Sequence, residues 1–308
     1  VFAAALEQAE QFLTAAASVG YATKPVQLFY ALSQAGRAIG AAHAEQPWQI
    51  HGHGAGVDES SNIGKATVEP DAKASGAMSV VARATGSELW SGRVELGVLW
   101  ASLPELPADP AIVGSAAEPL EVDLEYVDYS QPAYSSGLNV WTNVYPAYSG
   151  HTWRLAFRVK DRPSDPEEQQ ALIERLLSPY PRAAGWSIGN GLVTSNVYDP
   201  QPSPIIVEWA HQDEDGERVI TPPQQLTDAY EERMYFRPGI GPSRAVPSPL
   251  ITWWGILLAL SSLARYEPVA WRRALDIDRS PIAWALERGL AIAEQRIPEL
   301  VLKAVTAQ

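Results

Sequence analysis

The sequence contains no cysteine in 308 residues. This excludes a disulfide framework, a thiolate nucleophile and any cysteine-ligated zinc. Basic residues are scarce as well: 23 Lys and Arg stand against 36 Asp and Glu, a formal net charge of −13. Such a balance opposes nonspecific binding to nucleic acid or anionic membrane, both of which require a basic surface. The apolar run LITWWGILLALSSLA, 250–264, falls short of the roughly 20 residues that cross a bilayer, so no membrane span is expected. The start lacks a basic segment followed by an apolar core and cleavage site, so no secretory signal and a cytoplasmic location are expected. No Walker pattern, no strand–GxGxxG–helix pattern and no Gly-x-Ser-x-Gly elbow occurs, and no cofactor is expected.

What the chain does have is aromatic weight and punctuation: 11 Trp, 12 Tyr and 25 Pro. These suit an aromatic interior joined by rigid turns. Residues 23–54 form the organising stretch. Thr23 is a suitable N-cap, with Pro25 in the first turn. Leu28, Leu32, Ala35 and Ile39 then recur at helical spacing. Gly36 and Gly40 are poor helix formers, so their presence predicts close contact with a neighbouring helix. Arg37, one turn after Ser33, requires a partner or a route to water.

Four major helices are predicted, over 2–18, 24–43, 249–265 and 281–303, with Pro298 kinking or dividing the last. A shorter helix is expected over 165–178, capped by Asp165, and another over 269–275. Between 55 and 246 the pattern turns β-prone: 78–84, 94–100, 120–126, 139–145, 152–159, 187–197 and 205–209 read as strands. Residues 224–235 read as a short helix, and 213–216 as a solvated acidic turn. The fold class is therefore α+β. N- and C-terminal helices (1–54 and 247–308) form a discontinuous helical bundle, and an antiparallel β-rich region (55–246) is inserted between them.

Two polar features carry chemistry. Arg37 and His43 resemble the Arg-x4-6-His pattern of HEPN-type ribonucleases, helical proteins in which arginine offsets phosphate charge and histidine moves a proton. Six helical residues turn the two side chains apart, so they converge only if the helix bends or ends first. The alternative is a structural ion pair for Arg37 and an exposed helix-end role for His43. His51-Gly-His53-Gly, if extended, puts two imidazoles on one side, as metal ligation would need. A glycine-rich loop with incidental histidines explains it better, and no metal is expected.

Two blocks, KPVQLFYALSQAGRAI (24–39) with His51-Gly52 and LITWWGILLALSSLARYEPVAWRRAL (250–275), resemble the bacterial YaaC-like family. The resemblance implies an intracellular bacterial protein with a helical frame. Its matching polar positions are Tyr30, Arg37, His51, Arg265, Tyr266, Glu267 and Trp271. Two functions follow as expectations. One is a binding or regulatory protein that takes a protein partner or a small-molecule or nucleotide ligand, with oligomerisation compatible, through Tyr30, Arg265, Tyr266, Glu267 and Trp271. The other is a HEPN-like ribonuclease or nucleotide-acting enzyme using Arg37 with His43 or His51.

Overall fold

The structure is a computed structural model, and it describes residues 1–43, 49–60, 62–71, 75–128, 151–157, 163–188, 205–212, 218–221 and 223–306. In chain order the helices are α1 (Phe2–Ser18), α2 (Lys24–His43), α3 (Ala77–Ala84), α4 (Leu96–Ala101), α5 (Pro110–Val113), α6 (Pro166–Leu177), α7 (Pro223–Leu226), α8 (Pro249–Tyr266), α9 (Pro268–Ala274) and α10 (Ala283–Thr306). The strands are β1 (Ala55–Asp58), β2 (Thr67–Pro70), β3 (Val94–Glu95), β4 (Leu120–Val122), β5 (Glu125–Asp128), β6 (His151–Phe157), β7 (Ser187–Ile188), β8 (Ile205–Glu208), β9 (Ala210–Gln212), β10 (Arg218–Ile220), β11 (Asp228–Tyr230) and β12 (Arg233–Phe236). Every described strand pairing is antiparallel. The architecture is α+β, with terminal helices and internal antiparallel sheets. Two compact units divide the chain: Val1–Pro119 with Arg237–Gln308, and Leu120–Phe236.

In the first unit α2 packs against α1, α3, α8 and α10. Leu28, Phe29, Leu32, Ala35 and Ile39 are all buried. The stripe that sets the helical period is thus the surface that α2 removes from water. Each fully buried Leu, Ile or Phe contributes roughly 1.5–3 kcal/mol. Helix α8 starts with Pro249 in its first turn and is buried on all sides from Leu250 to Leu263. Its Trp254 ring lies directly on Gly36, where an added Cβ would sit 2.5 Å from Cη2. Gly36 therefore serves close helix approach, as its position in an apolar helix implies. Leu28 and Trp254 share one core.

Two buried charged groups inside this unit have partners. Trp253 Nε1 donates to Glu105 Oε1 at 3.0 Å, and Arg296 Nε of α10 lies 3.6 Å from the same carboxylate oxygen. Arg237, 2% exposed, donates from Nε to the Ser102 carbonyl at 3.0 Å and from Nη2 to Thr252 Oγ1 at 2.9 Å. A desolvated guanidinium persists only when its donors find such acceptors.

Several local expectations are corrected. Residues 78–84 and 94–100 form α3 and α4, apart from the short β3. Most of their apolar residues are buried: Met78, Val80, Val81, Leu96, Leu99 and Trp100. Core packing here overrides local β propensity. The same residues explain why the first unit takes in 55–119 and 237–246, beyond the expected frame of 1–54 and 247–308: Met78, Val81, Leu96, Leu99 and Trp100 join the core of α2 and α8. Helix α10 runs through Pro298 without division.

The second unit contains a four-stranded sheet ordered β5-β6-β8-β7, a three-stranded sheet ordered β11-β12-β4, and the β9–β10 hairpin. Helix α6 is capped as its sequence implies, with Asp165 accepting from the Glu168 N–H at 3.1 Å. The core gathers Val122, Leu124, Leu155, Ile173, Val207, Trp209 and Phe236. Residues 224–235 are mostly not helical. After α7 they form the β11–β12 hairpin, whose turn residues Glu231 and Glu232 have φ of 46° and 64°. Two successive positive φ values make a primed hairpin turn without the Asn-Gly that advertises one. The expected strand at 139–145 and the acidic turn at 213–216 lie outside the described residues, as does most of 187–197. Among the described residues no helix is long and apolar enough to cross a membrane.

Candidate functional site

The candidate site begins on one edge of α2. Tyr30, Ser33 and Arg37 fall at i, i+3 and i+7, on the helix face that stays half-buried while its neighbours enter the core. Behind them Phe29 is fully buried. The 51–54 turn delivers a histidine to this edge. The His51 N–H donates to the Ser75 carbonyl at 2.8 Å, and the Met78 N–H donates to the His53 carbonyl at 3.3 Å. Gly54 follows with φ +85°, and a Cβ there would meet the Met78 nitrogen at 2.6 Å. The turn is thus pinned to the start of α3 by backbone contacts that only glycine permits.

Pinned this way, the half-buried His53 ring sits edge-on to Phe29, with centroids 5.0 Å apart, and 6.5 Å from Tyr30. Tyr30 in turn stacks on Phe12 of α1 at 5.7 Å. From α8, Arg265 donates through Nε to the Ser261 carbonyl at 3.1 Å. Its guanidinium lies over the Tyr266 ring, 4.9 Å from the centroid. Burial, then the positive charges of Arg265 and Arg37, push the His53 pKa below its usual value of 6.5. Its imidazole is therefore neutral at neutral pH and offers one donor and one acceptor nitrogen.

Among the described residues, ion pairs form elsewhere, and none involves Arg37 or Arg265. Glu59, just after β1, accepts a hydrogen bond from Ser262 Oγ at 2.6 Å. Two guanidiniums without a carboxylate partner among the described residues thus bring positive charge to bear on His53, in a protein of net charge −13.

The other residues marked by the sequence lie apart from this cluster. His43 Nε2 donates to the Val305 carbonyl of α10 at 2.9 Å, so its ring is committed to the last helix. His51 Nε2 lies 2.9 Å from Gln49 Oε1 in an exposed position. Trp271 is 2% exposed, and its indole N–H donates to the Ala22 carbonyl at 3.1 Å. Glu267 closes α8 through its backbone N–H to the Leu263 carbonyl and is exposed. Among the described residues no three His, Asp or Glu come together to hold a metal, and the two arginines would repel a cation at His53. His53 itself drew notice in the sequence only as the partner of His51. No spacing signal joins it to Arg265, more than 200 residues away.

Comparison with known proteins gives one assignment. The family model described as YaaC-like Protein matches residues 1–305. No curated protein and no solved structure matches. With nearly its whole length covered, the chain belongs to the YaaC-like family.

Proposed function

We propose that this member of the YaaC-like family is a binding or regulatory protein whose ligand is a small anion-bearing molecule held by Arg37 and Arg265 beside His53. One observation carries the reading: the two guanidiniums have no carboxylate partner among the described residues, although acidic residues outnumber basic ones in the chain. Arginine's planar fork matches carboxylate and phosphate oxygens in pairs. His53 adds a donor, and an arriving anion would offset the two charges that hold its pKa down. Titrating inorganic phosphate while following the His53 ring protons by NMR tests this. Saturable shifts are expected in the native protein and none in the Arg37→Ala/Arg265→Ala variant. Saturation that persists unchanged in that variant removes the proposal.

A catalytic reading of the same cluster rests on the neutral imidazole beside two positive charges, a set that also serves phosphoester cleavage. In it His53 moves the proton in place of His43 or His51, because the His43 ring is spent on the Val305 carbonyl. It requires a cleaved RNA or nucleotide product from native protein and none from Arg37→Ala or His53→Asn. Cleavage retained in both variants ends it.

A further inference from the structure

The rings next to the arginines suggest what else the ligand carries. Tyr30 and Arg37 stand on the same face of α2, seven residues apart, which is about 10 Å of helical rise. His53 lies beside this face, its ring 5.0 Å from Phe29 and 6.5 Å from Tyr30, and it feels the positive charge of Arg37 and Arg265. The site therefore has two ends. One is cationic, formed by Arg37 and Arg265. The other is aromatic, formed by the stacked Phe12–Tyr30 pair, whose rings are both half-buried and keep surface open to solvent. A free phosphate or a simple carboxylate is too short to use both ends.

We infer that the site accepts a phosphate monoester joined to a flat aromatic ring, with a nucleoside monophosphate as the type compound. The phosphoryl group would sit against Arg37 and Arg265, and the base against Phe12 and Tyr30. A phosphate monoester carries close to two negative charges at neutral pH and three acceptor oxygens, which suits two guanidiniums and an imidazole donor. Stacking on half-exposed aromatic side chains is the general way proteins hold bases without reading their sequence. The acidic exterior weighs against a long polyanion such as RNA, whose remaining phosphates would face net negative charge. This inference rests on the anion reading above and adds the aromatic half.

The test compares adenosine 5′-monophosphate, ribose 5-phosphate, adenosine and inorganic phosphate by calorimetry on the full chain, with the His53 ring signals as a local readout. The monophosphate is expected to bind about 5- to 150-fold more tightly than ribose 5-phosphate, the range that one stacked base supplies. Phe12→Leu should bring that ratio close to one and leave ribose 5-phosphate affinity unchanged, whereas Tyr30→Phe should keep the ratio. Arg37→Ala should abolish binding of every phosphate. If ribose 5-phosphate binds as tightly as the monophosphate, the aromatic half is wrong and the anion reading stands. If none of the phosphates moves the His53 signals, both are wrong. Should Phe12→Leu unfold, as judged by circular dichroism, the ligand ratio in the native protein decides alone.

Discussion

The two compact units bury tryptophan in different ways. In the unit of residues 1–119 and 237–308, rings from one segment press on glycines of another: Trp254 on Gly36, and Trp100 on Gly289, where a Cβ would lie 2.2 Å from the indole. Their supporting helices come from opposite ends of the chain. In the unit of residues 120–236, Trp209 packs edge-on against Phe236 at 5.4 Å and donates to the Ala183 carbonyl at 2.9 Å. Among the described residues no glycine faces this ring, and both partners lie within the same 117 consecutive residues. Helices that meet face to face must make room for a large ring by removing a side chain. A small sheet core fills the space beside its strands and has no such need.

The largest effects expected are Trp254→Ala and Trp209→Ala, each costing about 3–5 kcal/mol by loss of buried area and the cavity left behind. They also test the division itself. If the units unfold separately, denaturant titration of Trp209→Ala will leave a second, unshifted transition that Trp254→Ala moves. One transition displaced by both variants breaks the comparison. Gly36→Ala comes next, at about 1–3 kcal/mol, because the new methyl must displace the Trp254 ring or separate α2 from α8. A melting temperature equal to that of the native protein would show that the notch is not tight.

Asp165→Ala should cost about 1 kcal/mol by removing the cap of α6. That loss should appear only in the transition that Trp209→Ala shifts. The smallest effect is the pH dependence contributed by His53. Its folded-state pKa lies below 6.5, so the unfolded chain takes up the proton first as pH falls. The stability cost is absent well above pH 6.5, grows as pH drops below that value, and is complete once pH passes the folded pKa. His53→Asn should flatten this part of the stability–pH curve for the helical unit. An unchanged curve would separate His53 from the charge of Arg37 and Arg265.

Much of the frame could be read directly. The α1, α2, α8, α9 and α10 helices carry 3.6-residue periodicity, proline starts or continuous apolar runs, and α6 carries an Asp-Pro start with acidic residues in its first turn. Those signals are local, and local physics decides them. The α3 and α4 segments read as strands because they are short, valine-containing apolar runs, and such runs do not separate strand from helix without the partner that buries them. The β11–β12 turn was invisible because two glutamates occupy positions usually held by Asn and Gly. For the site, Tyr30, Arg37 and Arg265 were marked in the sequence. His53, which feels the charge of both arginines, was marked only as the partner of His51.

The sequence by itself determined the helical ends of this protein, the cap and start of α6, and the need for small residues on α2. Each of these depends on interactions within a turn or two of the chain. Only the tertiary structure decided that residues 55–119 join the helical core, and that His53 feels the positive charge of Arg37 and Arg265. Those outcomes depend on which surfaces, far apart in the chain, meet when water is excluded. The patterning of one segment carries no record of the segment that will cover it.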